Sequence, residues 1–160
     1  MKCTDPRRAG QAVLLALALA VPVFAAEQGG SEAAARALIR EGERSLKAGD
    51  IERALRQFER ALRLSPEDCD TYTHLARAHG AAHRFEEAHR VLANAMIHAR
   101  GNRRLRYQIE LVRGDLYRDE GQREQARKAY EQAVGLRFFN REARRRLQVL
   151  DEPEEPPLPE

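Results

Sequence analysis

From Glu32 to Leu150 apolar residues recur at intervals of three and four, with charged residues filling the gaps. That spacing belongs to one-sided helices and not to strands, which alternate every second residue. Breaks in the pattern place the helix ends. Ser31 can cap a helix from Glu32 to Ala48; Gly49-Asp50 ends it, and Asp50 caps a second helix to Leu64. Ser65-Pro66-Glu67-Asp68 reads as a restart: a hydroxyl cap, proline in the first turn, then acids at the positive end of the helix. Further helices are predicted to about Ala82, from Arg84 to Ala99, from Arg103 to Glu120 and from Gln122 to Gly135, with Gly101-Asn102 and Gly121 as breaks. A last helix, capped by Asn140, runs to about Leu150.

Within this helical pattern the chain repeats itself. At an offset of 34, Gly42 falls on Ala76, Ala54 on Ala88, Phe58 on Leu92 and Ala61 on Ala95. A further shift of 38 carries these to Gly114, Ala126, Tyr130 and Ala133, the extra four residues being Arg103–Arg106. Small residues therefore face large apolar ones in register, which lets the two helices of a hairpin approach closely. One hairpin cannot bury its apolar face alone; three stacked ones can. Phe138, Leu147, Val149 and Leu150 give the last helix an apolar side, with Arg141, Arg144, Arg145 and Arg146 outside, so it is expected to close the open end.

The small-aromatic-small spacing, the Gly-Asp turn and Pro66 at the end of a unit resemble the tetratricopeptide repeat. The resemblance covers units 35–68, 69–102 and 107–140, with 103–106 as an insertion and 27–34 as a short lead. Leu38 and Glu110 stand where an early aromatic is usual, and Arg100 and Phe138 where a unit-ending proline is usual. The resemblance implies an all-α fold: a right-handed α-solenoid of three helical hairpins plus a capping helix at 141–150, its first helices lining a concave groove. It also implies action by binding a protein or peptide.

The first 26 residues differ from the rest. Lys2, Arg7 and Arg8 precede the uncharged run Ala12–Val21, then Pro22 and the exit Val23-Phe24-Ala25-Ala26. This reads as a secretory signal, cleaved after Ala25 or Ala26, with the Val23/Ala25 pair favouring Ala25. The alternative is an uncleaved anchor, for which the run is about half the ~20 residues a span needs. Cleavage would remove three basic groups and one acid, taking the formal charge from +3 to +1. A nearly neutral exported chain, periplasmic in a bacterium, is a poor nucleic-acid binder. Once the signal is removed, no stable membrane insertion is expected. The acidic, proline-rich end 151–160 is too polar to build a core and is expected to be disordered.

No catalytic constellation is visible: there is no glycine-rich phosphate loop, no Gly-x-Ser-x-Gly and no His-Glu-x-x-His. No enzyme activity and no cofactor are expected. All five histidines fall in the second unit, and His79 and His83 are four apart on one helical face. They allow a metal-binding alternative. However, His79 takes a packing position, His83 takes the turn position of Gly49 and Gly121, and no carboxylate lies in helical reach to complete a ligand set. Cys69, whose thiolate the flanking Asp68 and Asp70 disfavour, is expected to be a packed or idle thiol, with an intermolecular disulfide in an oxidising compartment as the alternative.

The candidate groove is a stripe on the first helices: Arg36, Ile39, Glu43 and Lys47; Asp70, Thr73, Arg77 and Gly80; Gln108, Leu111, Asp115 and Arg118. It mixes both charges around isolated apolar residues. It lacks the Lys, Asn and Arg array by which some tetratricopeptide repeats clamp a C-terminal carboxylate. The expectation is a peptide or helix of mixed character, held by an accessory or assembly subunit of a bacterial envelope complex. A structural homo-oligomer, its groove filled by a neighbour or by its own tail, is the remaining alternative.

Overall fold

Among the described residues seven helices form where the breaks in the apolar pattern allow them. The computed structural model describes residues 30–136 and 141–152. The leader at 1–26, the lead residues before 30, Phe138, the Asn140 cap and the tail beyond Glu152 lie outside the described residues. Helix α1 covers 30–47, α2 Ile51–Leu64, α3 Cys69–Ala81, α4 Phe85–His98, α5 Arg103–Asp119, α6 Arg123–Leu136 and α7 Arg141–Asp151. They pair as α1–α2, α3–α4 and α5–α6; α3 also packs on α2 and α5, and α7 packs on α6.

Several helix ends have a different chemistry from the one expected. Asp50 caps α2 by accepting from the Arg53 N–H. Ser31 does not cap α1; its hydroxyl donates to the Leu64 carbonyl at the far end of α2, 2.9 Å away, and ties the hairpin shut. Ser65 ends α2 instead of starting α3, because its N–H still bonds to the Ala61 carbonyl. Asp68 is the cap of α3, accepting from the Asp70 N–H and the Thr71 hydroxyl, and Pro66 lies in the turn before it. The insertion at 103–106 is one added helical turn: α5 has 17 residues against 13 in α3. The Arg103 guanidinium on that turn donates to the Gly135 carbonyl of α6.

The repeat register is the core. Ala54, Phe58 and Ala61, Ala88, Leu92 and Ala95, and Ala126, Tyr130 and Ala133 are all fully buried. Opposite them stand Gly42, Ala76 and Gly114. A Cβ on Gly42 would lie 2.5 Å from the Phe58 ring, and one on Gly114 would meet Tyr130 closer still. Where the facing side chain is the smaller Leu92, the chain carries Ala76 with its methyl accommodated. The glycine is needed where the neighbour is a ring.

The turns inside the hairpins share a left-handed residue: Gly49 (φ 81°), His83 (φ 55°) and Gly121 (φ 77°). His83 thus occupies a position that glycine fills in the other two units, at some conformational cost.

One packing position departs from the apolar rule. Glu110, in register with Leu38 and Tyr72, is 5% exposed, and both its carboxylate oxygens accept from Arg113. Burial pushes its carboxyl above the ordinary range; Arg113 and then Arg106 oppose that shift only in part.

Two outcomes follow for stability. Gly42→Ala should destabilise the chain by about 1–3 kcal/mol from the ring clash. In a Phe58→Leu background the same change should be neutral or stabilising by up to about 1 kcal/mol, through helix propensity. Urea denaturation of the four proteins measures this, and an equal penalty in both backgrounds would refute the ring contact. Glu110→Leu should stabilise the chain at pH 7 by up to about 1 kcal/mol, because it removes the buried carboxylate while Arg113, the more exposed partner, can turn to water. The native Glu110 carboxyl holds its proton more tightly than the unfolded one. Its unfavourable contribution is therefore full above the native pKa and vanishes as pH falls towards the ordinary carboxylate range. The gain from Glu110→Leu should shrink in that acid window; a gain independent of pH would contradict the argument.

Candidate functional site

Helices α1, α3, α5 and α7 present one shared face, and two clefts open along it. The first, of about 870 Å³, lies between α1, the 65–68 turn and the start of α3. Ala35, Ile39 and Pro66 supply its apolar surface, and Glu32, Glu67 and Asp70 its charge. The second, of about 300 Å³, lies between the end of α3, α5 and α7, with Val112 and Leu116 beneath Arg77, Asp115, Arg118 and Arg146.

The stripe expected from spacing divides between these clefts. In the first unit, Arg36 and Ile39 line the large cleft, Arg36 paired with Glu32 at 2.9 Å. Glu43 faces the His74 ring at 3.5 Å, and Lys47 is exposed beyond both clefts. In the second unit, Asp70 lines the large cleft, and Arg77 and Gly80 the small one. Thr73, between them, is buried, its hydroxyl turned back to the Asp70 carbonyl at 2.8 Å. In the third unit, Asp115 and Arg118 line the small cleft, while Leu111 is buried with Tyr107, Tyr130 and Leu150 in the core. Thr73 and Leu111 are thus packing residues, placed beneath the face that spacing put them on. Glu67, His74 and Arg146 are cleft residues that the stripe omitted.

Arg146 was expected outside; it points inward. Helix α7 takes the place of the first helix of a fourth unit, so its Arg146 reaches Asp115 across the groove at 2.7 Å. The other Asp115 oxygen accepts from the Tyr130 hydroxyl at 2.9 Å, and Arg118 lies 3.7 Å away. This joins α5, α6 and α7 through one carboxylate. Burial pushes the Asp115 carboxyl above its ordinary range, against Arg146, the Tyr130 bond, Arg118 and Arg77. Burial and the Asp115 charge push the Tyr130 phenol up as well. The end of α7 is held separately: Arg123 donates to the Leu150 carbonyl, and Arg127 pairs with Asp151.

The histidines do mainly packing and bridging. His74 stacks on Phe58 and His98 on Tyr72. His89 meets Glu120 at 2.5 Å and lies against Tyr117, joining the second hairpin to the third. His83 meets Phe85 edge-on at the turn. Burial holds His74 and His79 below the ordinary imidazole range, and so neutral at pH 7. Among the described residues no three His, Cys, Asp or Glu side chains gather to hold a metal ion, and no helix is long and apolar enough to cross a membrane. Cys69 is buried, and burial, then Asp68 and Asp70, push its thiol up.

The family model of the tetratricopeptide repeat-like domain matches residues 8–149. Among curated proteins none matches the chain. Among solved structures, the Arabidopsis OM64 tetratricopeptide repeat domain aligns with a TM-score of 0.63 and 19% identity, over 75% of this chain and 96% of that one. The first such domain of Spaghetti (RPAP3), bound to the HSP90 peptide SRMEEVD, aligns at 0.62 and 22%, over 74% and 91%. The second such domain of human RPAP3, in complex with the HSP70 peptide SGPTIEEVD, aligns at 0.61 and 17%, over 79% and 99%.

Because Asp115 is buried as an anion, removing its cation should cost more than neutralising it. Arg146→Ala is expected to lose about 1–3 kcal/mol and to expose α7 to limited proteolysis. Asp115→Asn, which keeps an acceptor for Tyr130, should lose less. Denaturant melts with mass mapping of the first cleavage site test this ordering. Equal losses with α7 still protected would remove the bridge from the account.

Proposed function

The chain belongs to the tetratricopeptide repeat-like domain family, and we propose that it acts by holding a polypeptide segment of a partner against the face formed by α1, α3, α5 and α7. Tetratricopeptide repeat domains are protein–protein interaction modules. The observation that carries the reading to this chain is the state of its clefts. Glu67, Asp70 and Arg77 line them, and among the described residues no hydrogen bond or ion pair engages their side chains. The neighbouring Arg36, Asp115, Arg118 and Arg146 are all paired within the chain. Charged groups left open beside an apolar floor are what an orienting contact with a peptide requires.

The partner is proposed to belong to a bacterial envelope assembly, with this chain as an accessory subunit exported by residues 1–26. Support comes from the basic start, the apolar run and the small-residue exit of that segment. One observation favours a second reading, retention of the segment as an anchor: the family match starts at residue 8 and so includes the apolar run. Mass spectrometry of the protein from its native host separates the two. A chain starting at Ala26 or Glu27 supports cleavage, and one retaining the run supports an anchor.

The groove itself is tested by photocrosslinking. A crosslinker at Ile39 or Arg77 should capture the same partner, and one at the exposed Ile97, away from both clefts, should not. Arg77→Glu should weaken that capture about tenfold with the helical circular-dichroism signal unchanged. Leu111 is no probe of the groove, since a polar residue there would disrupt the core. Capture from Ile97 alone would move the interaction off this face.

A further inference from the structure

Both clefts hold charges of both signs, and pairing inside the chain leaves only a few of them open. In the large cleft Glu32 is matched by Arg36, and Asp68 is engaged in capping α3. His74 is neutral because burial lowers its affinity for protons. Glu67 and Asp70 remain, two negative charges beside the apolar surface of Ala35, Ile39 and Pro66. In the small cleft Arg146 is matched by Asp115 and Arg118 by Asp119. Arg77 forms no ion pair among the described residues; it shares the field of Asp115 with Arg146 and Arg118, and three cations against Asp115 and Asp119 leave this cleft one net positive charge. Asp70 and Arg77 are seven residues apart on α3, about 10 Å along the helix axis. Between them Thr73 is buried, and the His74 ring, stacked on Phe58, lines the cleft on the same stretch of α3.

We propose that the occupant of this groove is an extended segment of a partner polypeptide carrying a basic residue at the Glu67–Asp70 cleft and an acidic residue about three positions away, at Arg77. An extended segment of polyproline II type advances about 3.1 Å per residue and returns to the same face every third residue, so side chains three positions apart span the Asp70–Arg77 interval on one face. A Lys or Arg fits the large cleft in two ways. Its charged head meets the open carboxylates, and its aliphatic stem lies along Ile39, Ala35 and Pro66. The peptides SRMEEVD and SGPTIEEVD bound to the structural neighbours end in acids; the large cleft here would repel such an end. The segment 151–160 of this chain contains no Lys or Arg, so it cannot supply the basic residue. The inference rests on the reading that this face binds polypeptide, and it adds the chemistry of what is bound.

Selection of a random decapeptide display library on the full chain at about 0.15 M salt tests it, with three variants in parallel: Glu67→Lys/Asp70→Lys, Arg77→Glu and Ile39→Ser. All four proteins are first matched by circular dichroism. Enriched peptides should carry a basic and an acidic residue three positions apart. The Glu67→Lys/Asp70→Lys pair should weaken them about tenfold or more, and selection on that variant should replace the basic residue by an acidic one. Peptides that lose binding with Ile39→Ser yet carry no basic residue would overturn the proposal while leaving the groove reading intact. Peptides indifferent to all three variants, or no enrichment, would overturn both. A dimer in light scattering that dissociates with Glu67→Lys/Asp70→Lys would assign the cleft to a second copy and also overturn the proposal.

Discussion

The array depends on how closely two helices of a hairpin can approach. In the first and third hairpins a ring packs against a glycine, Phe58 on Gly42 and Tyr130 on Gly114, at a distance that leaves no room for a Cβ. In the second the same junction is built from Leu92 and Ala76. Both combinations put similar volume between the helix axes, which is the quantity a packed interface conserves. Fixing that distance in each unit fixes the position of each first helix. The clefts are gaps between first helices, so their width is set by residues that do not line them.

Helix α7 extends this logic past the last full unit. Among the described residues no second helix pairs with it, and it buries a narrow apolar strip that includes Ala143 and Leu150. Polar contacts complete the docking: Arg146 to Asp115, Arg123 to the Leu150 carbonyl and Arg127 to Asp151. The first of these uses a carboxylate that burial already disfavours as an anion. Its value lies in position more than in net stability, since a buried ion pair gains little over apolar packing of the same shape. It ties the cap to α5 and α6 at once, through Tyr130. The residue that would have been a free acid in the groove becomes part of the scaffold.

Much of this was readable from the chain, and the failures have a common cause. The offset of Gly42, Ala76 and Gly114 against Phe58, Leu92 and Tyr130 located the core, because contacts within one hairpin are set by local register. Asp50 as a cap and His83 in the place of Gly49 and Gly121 were equally local. Thr73, Leu111 and Arg146 were misplaced because their exposure is decided by helices from other units. A stripe counted at three and four residues tells which residues share a face, not whether a neighbouring helix covers it. Ser31 and Ser65 were misassigned as caps for a related reason. A hydroxyl near a helix start competes with other acceptors and donors, and here Asp68 took the cap while Ser31 bonded to α2. The groove was legible as a region; its open charges required knowing which ones the fold had already paired.

That distinction bears on how the groove would discriminate between ligands. The Debye length at physiological salt is about 8 Å, shorter than the roughly 10 Å along α3 from Asp70 to Arg77. The two ends of the face therefore act on a ligand as separate local contacts and not as one long-range field. Each contact on its own is a partly exposed charge, worth little in water. Specificity then comes from satisfying both at once over a fixed spacing, with the stem of one side chain against Ile39. A rigid α3 keeps that spacing constant, and α3 is held from both sides by α2 and α5. The stacking that buries the core is thus what turns two weak charges into a ruler.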